Sequence, residues 1–273
     1  MKENKDAPVI SIGMPVYNGD MFIRGALDAL LNQKFTDFEI IISDNASTDA
    51  TESICQEYAV KDKRVRYIQQ SENQGAVANF KFVLDEAVGK YFMWAAIDDI
   101  WDEECLLKYF NVLEKESDID AVFCNYKTFS IKENCYVNAN RVVPSFLDSK
   151  KNNLLIRFMS SCPSIIYGMF RTDFLRRLKV LNIDWSGLHF TYQIAVHGKL
   201  YIVNDYLYTA RIRSISRKPY SLVGNNFQRY PFFRETLKLI KSNFGFVDSL
   251  FLTIIFTTLF MKMSVQIKKK TMK

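Results

Sequence analysis

The sequence predicts an α/β domain with a mostly parallel central sheet and helices on both faces. Three observations carry that expectation. Short apolar runs alternate with helical stretches from residue 9 to 129. The runs are apolar at nearly every position, as strands covered on both faces are. Three of them end in a polar cluster, where open α/β sheets bind their ligands.

Val9–Met14 reads as a buried strand ended by Pro15. Residues 20–33 place Phe22, Ala26, Leu27, Leu30 and Leu31 on one helical face. Glu39–Ser43 is a second strand, running into DNASTDAT, a turn that caps a helix over 49–60. Val65–Gln69 is a third strand, followed by a helix over 75–88 with Gly89 as its C-cap. Tyr91–Ile97 is a fourth strand that stops at Asp98-Asp99. A helix over 103–115 and a strand over Ala121–Phe129 complete the regular half. Beyond it the pattern predicts a loop over 130–150, helices over 151–159, 171–179 and 187–197, and strands over 199–203 and 206–213. A helix over 226–241 and an apolar stretch over 246–261 close the chain.

Hydrophobic residues make up 48% and charged residues 24% of the 273, which excludes a disordered, collagenous or disulfide-stapled chain. The formal net charge of +6 is unevenly spread. Up to Asp205 there are 23 basic and 28 acidic residues, a net of −5. From Tyr206 onward there are 13 and 2, a net of +11. Cys55, Cys105, Cys124, Cys135 and Cys162 are widely spaced without a Cys-x-x-Cys pair, so buried free thiols are expected rather than disulfides or a zinc site. The opening MKENKDAPVI lacks an apolar core, so no secretory leader is expected and the cytosol is the default location.

The polar clusters at strand ends are Pro15–Asn18, Asp44–Asp49 and Asp98-Asp99. Hard divalent cations take one or two carboxylates together with substrate phosphates. An acidic pair at a strand end suits that use, although alone it is as readily a helix cap.

Four segments in this order resemble the family 2 glycosyltransferases of the GT-A fold, of the kind that build bacterial surface polysaccharides. They are VISIGMPVYN (9–18), IIISDNASTDAT (40–51), ENQGAVANF (72–80) and GKYFMWAAIDDIW (89–101). The resemblance is strong over 8–125 and loose over 126–215. It implies that Pro15, Tyr17 and Asn18 line the nucleotide site. Asp44 would contact the base, with Asn45 and Ser47 beside it. Gly75 would be a close-approach glycine, and Asn79 would stand near the nucleotide. Ile97 and Asp98 match the end of the Asp-x-Asp motif, so Asp98 would hold Mn²⁺ or Mg²⁺ on the diphosphate of a nucleotide sugar, a UDP-sugar foremost. Asp99 would lie near donor sugar or acceptor. Arg211 and Arg213 resemble the segment that meets the leaving phosphates, with plain surface charge as the alternative. The motif's first Asp is Ala96 here, and Ala78 replaces a common basic residue.

The implied reaction is an inverting hexosyl or hexosaminyl transfer to a glycan or lipid-linked glycan. Such a displacement needs a general base near the acceptor hydroxyl. Asp184, in NIDWSGLHF, is the leading candidate by resemblance, with His189 behind it. A catalytically degenerate nucleotide-sugar-binding or scaffold protein is the alternative, favoured by Ala96.

The implied organisation is a transferase domain over 1–220, with a nucleotide half (1–125) and an acceptor half (126–220), and a basic helical extension over 221–273. Between Asp248 and Lys262 the chain is uncharged, and Lys262, Lys268, Lys269, Lys270 and Lys273 come after it. That run falls short of the ~20 residues of a membrane span. An apolar helix beside lysines suits peripheral contact with the inner face of the plasma membrane through 246–273. Packing on the domain or in a homodimer is the alternative. Nucleic acid is not expected as a partner, because the basic residues accompany an apolar stretch rather than an aromatic-interleaved groove.

Overall fold

The computed structural model describes residues 7–141, 143, 150, 153, 163–180, 186–212 and 226–257. The chain opens with β1 (Ile10–Val16), α1 (Ile23–Leu31), β2 (Phe38–Asp44), α2 (Thr51–Lys61), β3 (Val65–Gln69), α3 (Ala76–Asp85) and β4 (Tyr91–Trp94). The strands lie in the order β3-β2-β1-β4, all parallel. Parallel neighbours need crossovers, and right-handed crossovers place α1 and α2 on one face and α3 on the other. Accordingly α1 packs against α2, while α3 packs on β1 and β2. The direction of winding reverses between β1 and β4, and at the carboxyl ends of such a switch point open α/β sheets form their ligand crevice.

Burial explains the apolar runs. Ile10, Ile12 and Met14 of β1 and Ile40, Ile41 and Ile42 of β2 are 0% exposed. Gly13 is what lets two neighbours close on β1. A Cβ there would stand 2.6 Å from the Phe92 ring and 2.7 Å from Val83 of α3.

The fourth strand is shorter than the expected 91–97. Apolar burial continues through Ala95, yet the chain leaves β4 after Trp94 and turns. It re-enters the sheet as β5 (Ile100–Trp101), antiparallel to a distant strand, with Trp101 opposite Tyr208. The acidic pair therefore sits on a turn between two strands. Gly89 is not the C-cap of α3, which ends at Glu86. Its reason is contact: a Cβ there would lie 2.6 Å from the Ser11 backbone nitrogen.

The second half is a mixed sheet. After α4 (Cys105–Lys115) come β6 (Ala121–Ser130) and β7 (Cys135–Arg141). The latter pairs antiparallel with β6, where the sequence predicts a loop. A polar, Asn-rich strand such as CYVNANR has no apolar run to announce it. A 3₁₀ turn (Pro163–Tyr167) leads to β8 (Met169–Arg171), which joins β4 to β6 antiparallel on both sides. Then come α5 (Thr172–Arg177), α6 (Ser186–His197) and β9 (Leu200–Ile212). The two strands expected over 199–213 are one strand with an irregularity. Val203 pairs with Cys124 and Tyr206 with Asn125, so Asn204 and Asp205 bulge out.

Helix α7 (Asn226–Asn243) and a helical segment over 246–257 form a second, smaller apolar cluster with α6. Its members are Tyr192, Val196, Leu239, Ile240, Leu252 and Phe256. Among the described residues no helix is long and apolar enough to cross a membrane. Cys55, Cys105 and Cys124 are buried free thiols and Cys135 is an exposed one, while Cys162 lies outside the described residues.

Candidate functional site

The crevice is built from the loops that leave β1, β2 and β4. Parallel pairing brings Val16 opposite Asp44 and Gly13 opposite Trp94. Pro15, partly buried, stands near the end of β1, and the chain leaves the strand through Tyr17, a residue 48% exposed. Asn18 comes next, in the left-handed region at φ 49, a conformation that Asn tolerates better than most residues. Its amide donates to Ser47 Oγ at 2.9 Å, and its Oδ1 accepts from the Thr48 amide at 2.8 Å. Asn18 and Ser47 thus lock the β1 and β2 loops together.

Asp44 is the centre of the second loop. It is 0% exposed, and both oxygens are engaged. Oδ1 accepts from the Ser47 amide at 2.9 Å and Oδ2 from the Tyr67 hydroxyl at 2.8 Å. Burial, and then the carboxylate it bonds, push the Tyr67 phenol far above its ordinary value. The tight turn puts Ala46 at φ 59, which costs a non-glycine residue roughly 1 kcal/mol. The expected base-contacting carboxylate is therefore also the residue that shapes the loop.

Asn45 is buried and joins this loop to the one before α3. It donates to Asn73 Oδ1 at 2.9 Å and accepts from the Gln74 amide at 2.9 Å. Asn73 also accepts from the amide of Gly75, which caps α3 at φ 85. That positive φ, not a close neighbour, is what requires glycine, because a Cβ on Gly75 would meet nothing within 4 Å. Asn79 does not open onto the crevice. It is buried and bonds the Val16 and Ser43 carbonyls and the Ser43 hydroxyl, stapling β1 to β2. Behind the β2 loop, burial pushes the Asp49 carboxyl upward. Bonds from Thr51 and Asp20 outweigh this and hold it below the ordinary range.

The third wall is the turn after β4. Ile97 packs so closely over Gly19 that a Cβ on that glycine would stand 2.5 Å from its Cδ1. Asp98 is partly exposed. Asp99 points the other way: it is 5% exposed, and its carboxylate accepts from the Tyr208 hydroxyl and, at 2.8 Å, from the Arg211 amide. Burial, reinforced by the charge of Asp98, pushes its carboxyl up to about 7 against the opposing pull of those two bonds. β9 thus holds Asp99, the residue expected near donor sugar or acceptor.

Arg211 is held at the same turn. Its Nε donates to the Asp98 carbonyl, its guanidinium lies 5.8 Å from the Phe22 ring centroid, and its buried Nη2 has no hydrogen-bond partner among the described residues. A Cβ on Gly25 of α1 would stand 3.9 Å from that Nη2. The side chain expected on the leaving phosphates braces the turn that carries Asp98. Arg213 and Asp184 lie outside the described residues. His189 is buried on α6, where burial lowers its pKa below the usual histidine value.

Among the described residues no group of three or more His, Cys, Asp or Glu side chains could hold a metal. One partly exposed carboxylate, Asp98, still fits a hard cation that takes its remaining ligands from phosphate oxygens and water. Tyr67, Asn73, Tyr208 and Phe22 were not expected at this site. Asn73 falls within the ENQGAVANF segment, whereas Tyr67, Tyr208 and Phe22 come from outside the four family-like segments.

A family model, glycosyl transferase family 2, matches residues 11–178. An uncharacterized glycosyltransferase of Rickettsia prowazekii is 28% identical over 218 residues, covering 74% of this chain and 67% of that one. The teichoic acid poly(glycerol phosphate) polymerase of Staphylococcus epidermidis is 28% identical over 242 residues, which are 86% of this chain but 30% of the polymerase. Among solved structures, Staphylococcus aureus TarS in complex with UDP superposes with a TM-score of 0.70 at 18% identity, covering 91% of this chain and 70% of that one. That likeness is one of fold.

Proposed function

The chain belongs to glycosyl transferase family 2 and has its GT-A α/β fold, and from that premise we propose an inverting transfer of a sugar from a UDP-sugar to a glycan or lipid-linked glycan. The acceptor class we infer is a bacterial surface polymer. The observation that carries this reading is the strand register, by which the ends of β1, β2 and β4 bring Tyr17, the Asp44–Ser47 loop and Asp98 to one edge of the sheet.

In this reading the exposed Tyr17 ring offers an apolar face to the base. The interlocked loops at Asn18, Asn45, Ser47 and Gly75 fix the backbone around the nucleotide. Asp98 would hold Mn²⁺ or Mg²⁺, which when bound neutralises charge developing on the leaving diphosphate. Asp99, Tyr208 and Arg211 act on the reaction through Asp98, as positioning residues. Asp184 is the proposed base that takes the acceptor proton as the sugar is displaced. Residues 1–220 form the transferase unit and 221–273 its extension. We place the protein on the cytoplasmic side of the plasma membrane.

The test is a screen of nucleotide sugars with Mn²⁺, reading hydrolysis of the donor. Turnover of one UDP-sugar, lost in Asp98→Ala, is the expected result. Saturable binding without any turnover would favour the second reading, a degenerate nucleotide-sugar-binding protein, for which the motif's Ala96 speaks.

A further inference from the structure

The helical segment over 246–257 carries its apolar residues on both sides. Leu252 and Phe256 are 0% and 3% exposed and seat it against α6 and α7. Facing outward are Phe246 (85% exposed), Val247 (77%), Leu250 (53%), Phe251 (46%) and Ile254 (57%). At about 100° per residue these five fall within an arc of roughly 140°. A helix on a water-facing surface has the reverse pattern, with its polar residues outside. Here the polar Ser249 is turned toward the protein instead, its hydroxyl donating to the Phe244 carbonyl at 3.0 Å. The other exposed large apolar side chains of the described residues stand singly or in one adjacent pair, which is ordinary for a surface.

What covers such a stripe is indicated by charge. After Asp248 the sequence has no acidic residue, and it ends with Lys262, Lys268, Lys269, Lys270 and Lys273. An anionic lipid surface offers both an apolar layer and the opposite charge.

We propose that Phe246, Val247, Leu250, Phe251 and Ile254 form a membrane-docking face that lies in the plane of an anionic bilayer. This rests on the reading that residues 246–273 contact the membrane, and it names the surface that does so. Because Leu252 and Phe256 fasten the segment to α6 and α7, the contact is a fixed face of the domain rather than a tether. It therefore gives the domain one orientation toward a lipid-linked acceptor.

The experiment is co-sedimentation of the full chain with phosphatidylcholine vesicles, with and without phosphatidylglycerol. Phe246→Ser with Leu250→Ser removes two well-exposed side chains, and an unchanged urea midpoint checks that the fold is kept. The expected result is partition reduced by about tenfold or more in that variant. Lys268→Gln with Lys269→Gln and Lys270→Gln should remove the preference for phosphatidylglycerol. Undiminished binding of the apolar variant, with loss in the lysine variant, would overturn the stripe and leave a purely basic contact. No binding of the unaltered chain would overturn the membrane reading as a whole, while donor turnover is scored separately. A dimer in light scattering that the apolar variant dissolves would make a second copy the occupant and also overturn the proposal.

Discussion

The loop-shaping bonds of Asp44 and its proposed contact with the base can be separated by substitution. Asp44→Ala leaves the Tyr67 hydroxyl and the Ser47 amide without their acceptor, so stability should fall by about 1–3 kcal/mol, read as a lower urea midpoint. Asp44→Asn can still accept from the amide and pair with the phenol, so its midpoint should stay close to that of the unaltered chain. Its UDP affinity should nonetheless fall, because an amide is the poorer acceptor for a base N–H. Equal loss of affinity and stability in both variants would give Asp44 a loop-shaping role only. Arg211→Lys keeps the charge but loses the Nε donor on the Asp98 carbonyl. It should raise the Mn²⁺ concentration needed for half-maximal activity at little cost to the thermal midpoint. Asp49 supplies a pH test. Its carboxyl is held below the ordinary value of about 3.9, so the stability it lends is present above that value and lost as pH falls through the depressed pKa. The difference in urea midpoint between the unaltered chain and Asp49→Asn should therefore shrink on going from neutral pH into strong acid. Asp44 and Asp98 were legible in the sequence because polar residues at strand ends stand out. Tyr67 was not, and Arg211 was singled out for the leaving phosphates rather than for its bond to the Asp98 carbonyl, because strand register decides which side chains meet.

Among the elements, the buried strands were the most legible and the connections the least. The runs at 10–16 and 38–44 declare themselves because both faces are covered. β7 is polar and β5 is two residues long, so neither has a pattern to read. Gly89 shows the same limit at one position. A glycine after a helix suggests a cap, yet here it is required by the approach of β1, with the Ser11 hydroxyl accepting its amide at 2.8 Å. Gly89→Ala would press a Cβ on buried strand backbone that cannot move aside. A loss of about 1–3 kcal/mol is expected, measured by denaturant unfolding at unchanged m. A neutral result would refute the close-approach explanation.

At the scale of the molecule, charge and topology tell one story. The acidic front half holds the crevice and its single accessible motif carboxylate, Asp98. The basic end carries the outward apolar stripe. The sequence made this division visible because net charge sums along the chain. It hid the fact that β9, from the second half, reaches back to brace the Asp98 turn through Tyr208 and Arg211. The loops at the ends of β1, β2 and β4 and the second half are thereby one mechanical unit. The most direct test is calorimetric titration of UDP with and without Mn²⁺ into the unaltered chain and Asp98→Ala. Binding that requires Mn²⁺ and disappears in Asp98→Ala is the expected result. Binding of equal strength in all four titrations would contradict the assignment of this crevice as a metal-assisted donor site.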